Sequence, residues 1–520
     1  MVIAMKKIIL SVLCACFLMS PVYCETLQEY KAKQTQKQEE FKKEKAKSKK
    51  GYEQAQLRKY KKYKTKKQQE FDAYRRSVNE KFAEMMKKKW TKHQKKAAIP
   101  VPKKKEPPKP YMKKDDKKAP AVKLDFAKIV NAASFEDPEP ITPVDLEIPE
   151  EEIPVNFEQD YNFLYHGASC KVHFFDSMRF SLPDVSEASV SDVWKKLSSE
   201  DFDLLLSDCF DLKDDLRLGD WGYIDMLRVM SEHFLGESNE AVLLQMFVLA
   251  QSGYKVRLAK SGDKLILLVP FRTDLYTYPY FILNDGKKYY ILDNEARTQS
   301  RTYQVYETSF PREKTASLKM PGTPRLGQSK GSGKIFQSRR YQDTFAEVIT
   351  NKNLIDFYND YPVSGSWADY VRAALSDEIK NTLYPALRAQ IGGKTKLEAA
   401  NILMNFVQTA FNYQTDQEQF GYERPLFGDE TFYYPYSDCE DRSILFAILV
   451  RELLGLDVVL LHYPQHLATA VNFGNEDVYG SYFVVDGKKY VVSDPTYINA
   501  PVGECMPQYQ NSSAEIVKIN

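Results

Sequence analysis

The sequence predicts an α+β protein in which two globular regions, each a helix followed by antiparallel strands, stand behind a long basic helical arm. Two observations predict this: a division of charge and composition along the chain, and a pattern that occurs twice at a nearly constant offset. The 520 residues carry a formal charge of only +2, yet Glu25 to Pro120 holds 33 basic and 13 acidic side chains, net +20. Setting Lys6 and Lys7 aside, 121–520 holds 38 basic and 58 acidic, net −20. The protein therefore reads as a basic arm on an acidic body, long enough for two or three globular units.

The chain opens with Lys6-Lys7, an apolar run from Ile8 to Met19, and Ser20-Pro21-Val22-Tyr23-Cys24. That order is expected of a secretory leader over 1–24, with a lipoprotein anchor at Leu13-Cys14-Ala15-Cys16 as the competing reading. No later stretch reaches about 18 continuous apolar residues, so no further membrane span is expected. The expected location is outside the cytoplasm: periplasmic, associated with the outer envelope, or secreted. Removal of the leader leaves Cys170, Cys209, Cys439 and Cys505. Four cysteines are too few for a disulfide framework in a body of this size, though a Cys170–Cys209 pair stays open. No C-x-x-C spacing points to zinc.

Residues 25–98 hold no proline before Pro100 and are rich in Lys, Gln, Glu and Ala, which favours helix. The apolar positions keep no strict heptad, so a coiled coil is open. The arm reads either as a solvated tether or as a basic surface for an anionic envelope, with nucleic acid disfavoured by export. Residues 99–155 are proline-rich, first among lysines and then among glutamates, and are expected to be an extended spacer. The first globular region is expected over 156–310, a basic linker over 311–344, and the second globular region over 345–520.

The two regions repeat one pattern. Gly253-Tyr254-Lys255-Val256 aligns with Gly455-Leu456-Asp457-Val458, each after a helical run, and Tyr280-Phe281-Ile282-Leu283 aligns with Tyr482-Phe483-Val484-Val485, 202 positions later in both cases. One extra residue, Asn284, then shifts Asp285-Gly286-Lys287-Lys288-Tyr289 against Asp486-Gly487-Lys488-Lys489-Tyr490, and both copies reach an aspartate, Asp293 and Asp494. A near-constant offset through helix, strand and hairpin is expected of a duplicated domain.

Chemistry concentrates in the second copy. Ser437-Asp438-Cys439-Glu440 before an apolar run reads as a capping box with Ser437 at the N-cap, placing Cys439 in a first helical turn, where free N–H groups favour a thiolate. Of two following histidines, His466 is preferred as base over His462, because Pro464 separates a strand ending at His462 from one beginning at His466. Tyr490-Val491-Val492-Ser493-Asp494-Pro495 reads as a strand ending in a carboxylate that orients the imidazole. Asp441 and Arg442 read as a structural ion pair beside the site, and Cys505 as inert.

In these motifs, Asp438-Cys439-Glu440-Asp441-Arg442-Ser443, His466-Leu467-Ala468 and Asp494-Pro495-Thr496, the chain resembles the transglutaminase-like superfamily of papain-like cysteine enzymes. The resemblance covers about Phe345 to Pro507. It implies an antiparallel sheet with the catalytic helix packed on it, and Cys439, His466 and Asp494 as nucleophile, base and orienting acid. It departs from the family where Leu467-Ala468-Thr469 replaces the usual aromatic soon after the histidine. The upstream copy, with Glu237 and Lys264 at the positions of Cys439 and His466, is expected to be a degenerate, non-catalytic relative. Gly392-Gly393-Lys394-Thr395 and Gly331-Ser332-Gly333-Lys334 lack the phosphate-loop context. No cofactor and no metal are expected. The expected activity is acyl transfer to water (peptidase or amidase) on a polypeptide substrate. The alternatives are transamidation of an amine, or a non-catalytic exported binding or scaffold protein.

Overall fold

The computed structural model describes residues 66–102, 110–114, 117–131, 160–174, 178–199, 202–293, 303–329 and 333–519, with residues 36 and 331. The expected leader at 1–24 and the first part of the arm lie outside the described residues. Asp72–Leu146 and Asn156–Asn520 group into one compact unit that holds both globular regions. Among the described residues no helix is long and apolar enough to cross a membrane.

Helix α1 (Lys66–Met86) leads to strands β1 (Thr91–His93), β2 (Tyr111–Met112) and β3 (Phe126–Val130). The first region holds β4 (Asp160–Tyr165), β5 (Ala168–His173), α2 (Glu187–Ser199), α3 (Asp203–Asp215), α4 (Asp220–Leu235) and α5 (Asn239–Gln251). It continues with β6 (Arg257–Ser261), β7 (Lys264–Pro270), β8 (Tyr280–Ile282), β9 (Lys288–Ile291) and β10 (Tyr303–Tyr306). A hairpin of β11 (Lys334–Gln337) and β12 (Phe345–Val348) precedes α6 (Lys352–Asp360), α7 (Trp367–Ala373), α8 (Asp377–Ile391) and α9 (Lys396–Thr409). Then come β13 (Asn412–Tyr413), α10 (Asp416–Gln419), α11 (Gly428–Tyr433), β14 (Tyr436–Ser437) and α12 (Cys439–Leu454). The chain finishes with β15 (Asp457–Tyr463), β16 (His466–Asn472), β17 (Tyr482–Val485), β18 (Lys488–Ser493), β19 (Tyr497–Ile498) and β20 (Ala514–Lys518).

The protein is α+β with antiparallel sheets, and its two six-stranded sheets share one strand order. The first runs β8-β9-β7-β6-β10-β1 and the second β17-β18-β16-β15-β20-β3. Each follows a helix, α5 or α12, that packs on the strands after it. Both connections turn at a left-handed glycine, Gly253 at φ 82° and Gly455 at φ 63°, a conformation that costs a Cβ-free residue little. The sheets differ at one edge: β1 runs antiparallel to β10, whereas β3 runs parallel to β20.

That edge corrects the expected arm and linker boundaries. The arm is not helical to residue 98, because α1 ends at Met86 and Thr91–His93 extends the first sheet. Nor is its second half a solvated tether: Val78, Phe82, Ala83, Met86 and Trp90 are buried, and Asn79 accepts from Trp194 Nε1 at 3.0 Å and Gln251 Nε2 at 2.9 Å. The proline-rich segment is not only a spacer. Tyr111 and Met112 pair in parallel with Tyr497 and Ile498, just past Asp494, and β3 completes the second sheet. Leu124 enters that sheet's core beside Leu461, Ala470, Phe483 and Ile516. Proline composition conceals these residues, whose apolar surface finds a partner only across hundreds of positions. The expected linker at 311–344 is likewise built in, with Ala316, Leu318, Met320 and Phe336 buried.

Leu124→Ala should therefore destabilise the second region by about 2–5 kcal/mol, as for other buried leucines, and lower the midpoint of thermal unfolding followed by circular dichroism. An unchanged midpoint would detach the segment from the core.

Candidate active site

The site forms where the first turn of α12 meets the start of β16 and the end of β18. Helix α12 is capped one residue later than expected. Asp438, not Ser437, is the N-cap: its carboxylate accepts from Glu440 N at 3.2 Å, and Asp441 Oδ2 accepts from Asp438 N at 3.0 Å. Ser437 instead belongs to β14, paired in parallel with Tyr413. Cys439 still opens the helix as its first residue. Asp441 and Arg442 do not act mainly as an ion pair. Asp441 Oδ1 accepts from Leu426 N at 2.8 Å, while Arg442 donates to Gln408 O at 3.2 Å and Phe411 O at 2.9 Å.

Strand β16 begins with His466 after a tight connection through Pro464 and Gln465, the latter left-handed at φ 65°. Ser443 Oγ donates to Leu467 O at 2.8 Å, which ties the second turn of α12 to the strand beside the histidine. His466 Nε2 lies 2.8 Å from Asp494 Oδ2, and Asp494 Oδ1 accepts from Thr496 N at 2.8 Å. The adjacent strands β16 and β18 pair Thr469 with Ser493, which sets the carboxylate beside the imidazole. The structure thus brings together Cys439, His466 and Asp494, all three buried. It sets His462 apart: that ring packs on Trp367 at 4.6 Å and its Nδ1 lies 3.3 Å from Glu515.

Burial works against a charge on His466, but the Asp494 carboxylate and then the Cys439 thiol outweigh it and push the imidazole up to about 10. With Nε2 turned to Asp494, Nδ1 is the ring nitrogen left without that pairing. It has no hydrogen-bond partner at rest, because the Cys439 thiol is directed to Glu440 Oε2 at 2.9 Å. The other thiols lie in different surroundings. All four described cysteines are free, so Cys170 and Cys209 are not bridged. Burial pushes Cys505 up to about 12 and Cys170 up to about 11.

Several residues at the site were beyond local pattern. Tyr509 stacks on the imidazole at 4.9 Å and 11°, and Tyr463 stacks on Tyr509 at 4.7 Å. An aromatic wall thus exists, supplied from 43 positions downstream of the histidine rather than from the strand. Gln408 Nε2 donates to Tyr497 O at 2.7 Å, Ala500 O at 3.1 Å and Asp494 O at 3.3 Å, holding the turn that carries the carboxylate. Glu440, read as a cap, faces the sulfur instead. Nothing short-range marks the first two, whereas Glu440 was visible as a charge next to the cysteine.

Acidic side chains gather on the same side. Asp416, Asp438 and Asp441, and likewise Asp416, Glu423 and Glu440, bring oxygens within 4.8 Å of one another, and Asp438 and Glu440 bring oxygens as close to the Cys439 sulfur. Such spacing would suit a divalent cation, but Asp416, Asp438 and Asp441 already accept backbone N–H groups. The preceding segment adds Asp429, wholly buried, whose Oδ2 accepts from Ser376 N at 3.0 Å. Burial pushes that carboxyl up to about 7. A carboxyl whose folded value is raised costs the fold increasing stability as pH climbs from about 4 to about 7. Asp429→Asn should therefore stabilise the protein relative to wild type above pH 7 by at most about 4 kcal/mol, at about 1.4 kcal/mol per tenfold change in proton affinity. Melting curves at pH 5 and pH 8 test this, and a difference that does not grow with pH would remove Asp429 as the cause.

Cys439 has no exposed surface. Anything that reacts with the sulfur reaches it only when part of the surrounding wall moves. No protein-family model matches the chain, and no curated protein or solved structure matches it either.

Proposed function

We propose that the second region is a cysteine-dependent acyl-transfer enzyme of transglutaminase-like type, acting as a peptidase or amidase on a polypeptide. The observation that carries the reading is the pairing of Asp494 with His466 Nε2, with Cys439 at a helix start close enough to act on the imidazole's charge. In this reading His466 takes the thiol proton, the sulfur attacks an amide carbonyl, and the protonated imidazole gives its proton to the leaving amine. Water then cleaves the thioester with His466 as base. Asp494 holds the tautomer and stabilises the cation. Hydrolysis is preferred over transfer to an amine on the strength of the family resemblance. An exported location and attachment of the basic arm to an anionic surface belong to the same proposal, from the leader-like start and the division of charge.

The complete burial of the thiol is the observation that favours the rival reading, a non-catalytic binding or scaffold protein. Iodoacetamide labelling at pH 7, read site by site by mass spectrometry, separates the two. Cys439 should react before Cys170, Cys209 and Cys505, and His466→Ala should slow it, since the thiolate is the reactive form. Labelling of Cys439 no faster than of Cys505 would sink the enzyme reading.

A further inference from the structure

A cavity of about 1070 Å³ lies in the first region at the place that corresponds to the triad. The offset of 202 positions sets Glu237, Lys264 and Asp293 against Cys439, His466 and the neighbourhood of Asp494, and all three line this cavity. The second region contributes to the lining through residues 359–363, Tyr422 and Arg424. A hollow therefore persists at the corresponding end of the first sheet, with Glu237 rather than a cysteine at the position of Cys439. At the triad itself the thiol is sealed.

The lining of this cavity is acidic: seven of its side chains are carboxylates and three are bases. None of the three bases is free. Arg228 bridges Asp225 at 2.8 Å and Glu232 at 2.6 Å, and Arg424 holds Glu430 at 2.5 Å. Glu237, Asp263 and Asp360 make no side-chain hydrogen bond or ion pair among the described residues. The carboxylates also repel one another. Burial first and then the charge of Asp225 raise Asp360, while burial raises Glu232 with Glu237 adding to it. The positive end of α5 is met by Glu240, whose Oε1 accepts from Leu182 N at 2.7 Å. Tyr422, 46% exposed, offers a ring face on which an ammonium or guanidinium group can rest.

We propose that this cavity is a capture site for a polypeptide segment bearing lysine or arginine side chains. Its volume is at the upper end for a drug-sized ligand, enough for several such side chains, and its uncommitted carboxylates would pair with them. The wall formed by Tyr422 and Arg424 continues into Leu426, whose N–H is held by Asp441 in the first turn of α12. Capture and catalysis would thus adjoin one loop. The proposal does not depend on chemistry at Cys439, and its test is run without that chemistry.

The full chain carrying Cys439→Ala is titrated into a fluorescein-labelled octapeptide of alternating lysine and glycine at low salt, and anisotropy is read. The lysine peptide should bind, a glutamate–glycine octapeptide should not, and added salt should weaken binding as charges are screened. Adding Glu237→Gln, Asp263→Asn and Asp360→Asn together should raise Kd at least about 10-fold, as expected for loss of several charge contacts. These three side chains hold no hydrogen-bond or ion-pair partner among the described residues, and the single substitutions, each raising Kd by a smaller factor, guard against a folding defect in the triple variant. Unchanged affinity in the substituted proteins, or equal binding of lysine and glutamate peptides, would overturn the proposal. Displacement of the peptide by spermine at equal charge concentration would overturn the polypeptide assignment in favour of a small polyamine.

Discussion

Cys439→Ala is expected, on the proposed mechanism, to lower kcat for peptide cleavage by about 10⁴-fold or more, because removal of the nucleophile from a unit that acts together forfeits nearly the whole gain of that unit. The fold should survive. Alanine is the best helix former, and the first turn of α12 is held by Asp438 and Asp441 through backbone N–H groups that the substitution does not touch. The loss is one buried sulfur, costing about 1 kcal/mol by analogy with other small core truncations. A peptide library incubated with both proteins and read by mass spectrometry checks the first part, and paired melting curves check the second. Equal cleavage by the two proteins would end the assignment of Cys439 as nucleophile, whatever the activity's source.

Asp494→Asn is expected to cost about 10³- to 10⁴-fold in kcat, on the pattern of triads in which the orienting acid becomes an amide. The new side chain can still accept from Thr496 N, so the turn should hold. What changes is the group facing His466 Nε2: an amide no longer stabilises an imidazolium, and its N–H favours the wrong tautomer. The pH dependence carries the sign of the interaction. The folded imidazole stands at about 10, above its ordinary value of 6.5. Its pairing with Asp494 is therefore a stability contribution fully present below about 6.5 and lost as pH rises through about 10. The melting temperature of Asp494→Asn should fall furthest below wild type near pH 6, and the gap should narrow toward pH 10. A gap independent of pH would mean that His466 is not charged by its partner.

Much of this site can be read along the chain because the deciding signals are short-range. An apolar run after an acidic cluster marks α12, and a proline after His462 separates two strands. Aspartate before Pro495 closes a third strand. The helix cap shows where short-range reasoning stops. Ser437 with Glu440 and Asp438 with Asp441 both present a capping residue three positions before a carboxylate, so the pattern alone does not choose. The choice falls to Asp438 because Tyr436 and Ser437 are drawn into pairing with Asn412 and Tyr413. Gln408 and Tyr509 are out of reach for the same reason, since their partners lie 86 positions away at Asp494 and 43 away at His466.

The proline-rich segment makes the contrast plain. Its composition is that of a spacer, and no local period marks Leu124 or Phe126–Val130 as structural. They become so because the second sheet has an open edge at β20 and an apolar face that needs covering. Local periodicity and turn chemistry alone establish the α+β class, the repeated helix-then-strand order, and the chain order of cysteine, histidine and aspartate. Tertiary packing alone decides which residue caps α12, which nitrogen pairs with Asp494, what walls the imidazole, and that the presumed linker belongs to the sheet. The division follows from range: helix starts, turns and strand alternation depend on neighbours within a few positions, whereas sheet edges, ring stacking and proton affinity depend on groups that only the folded chain brings together.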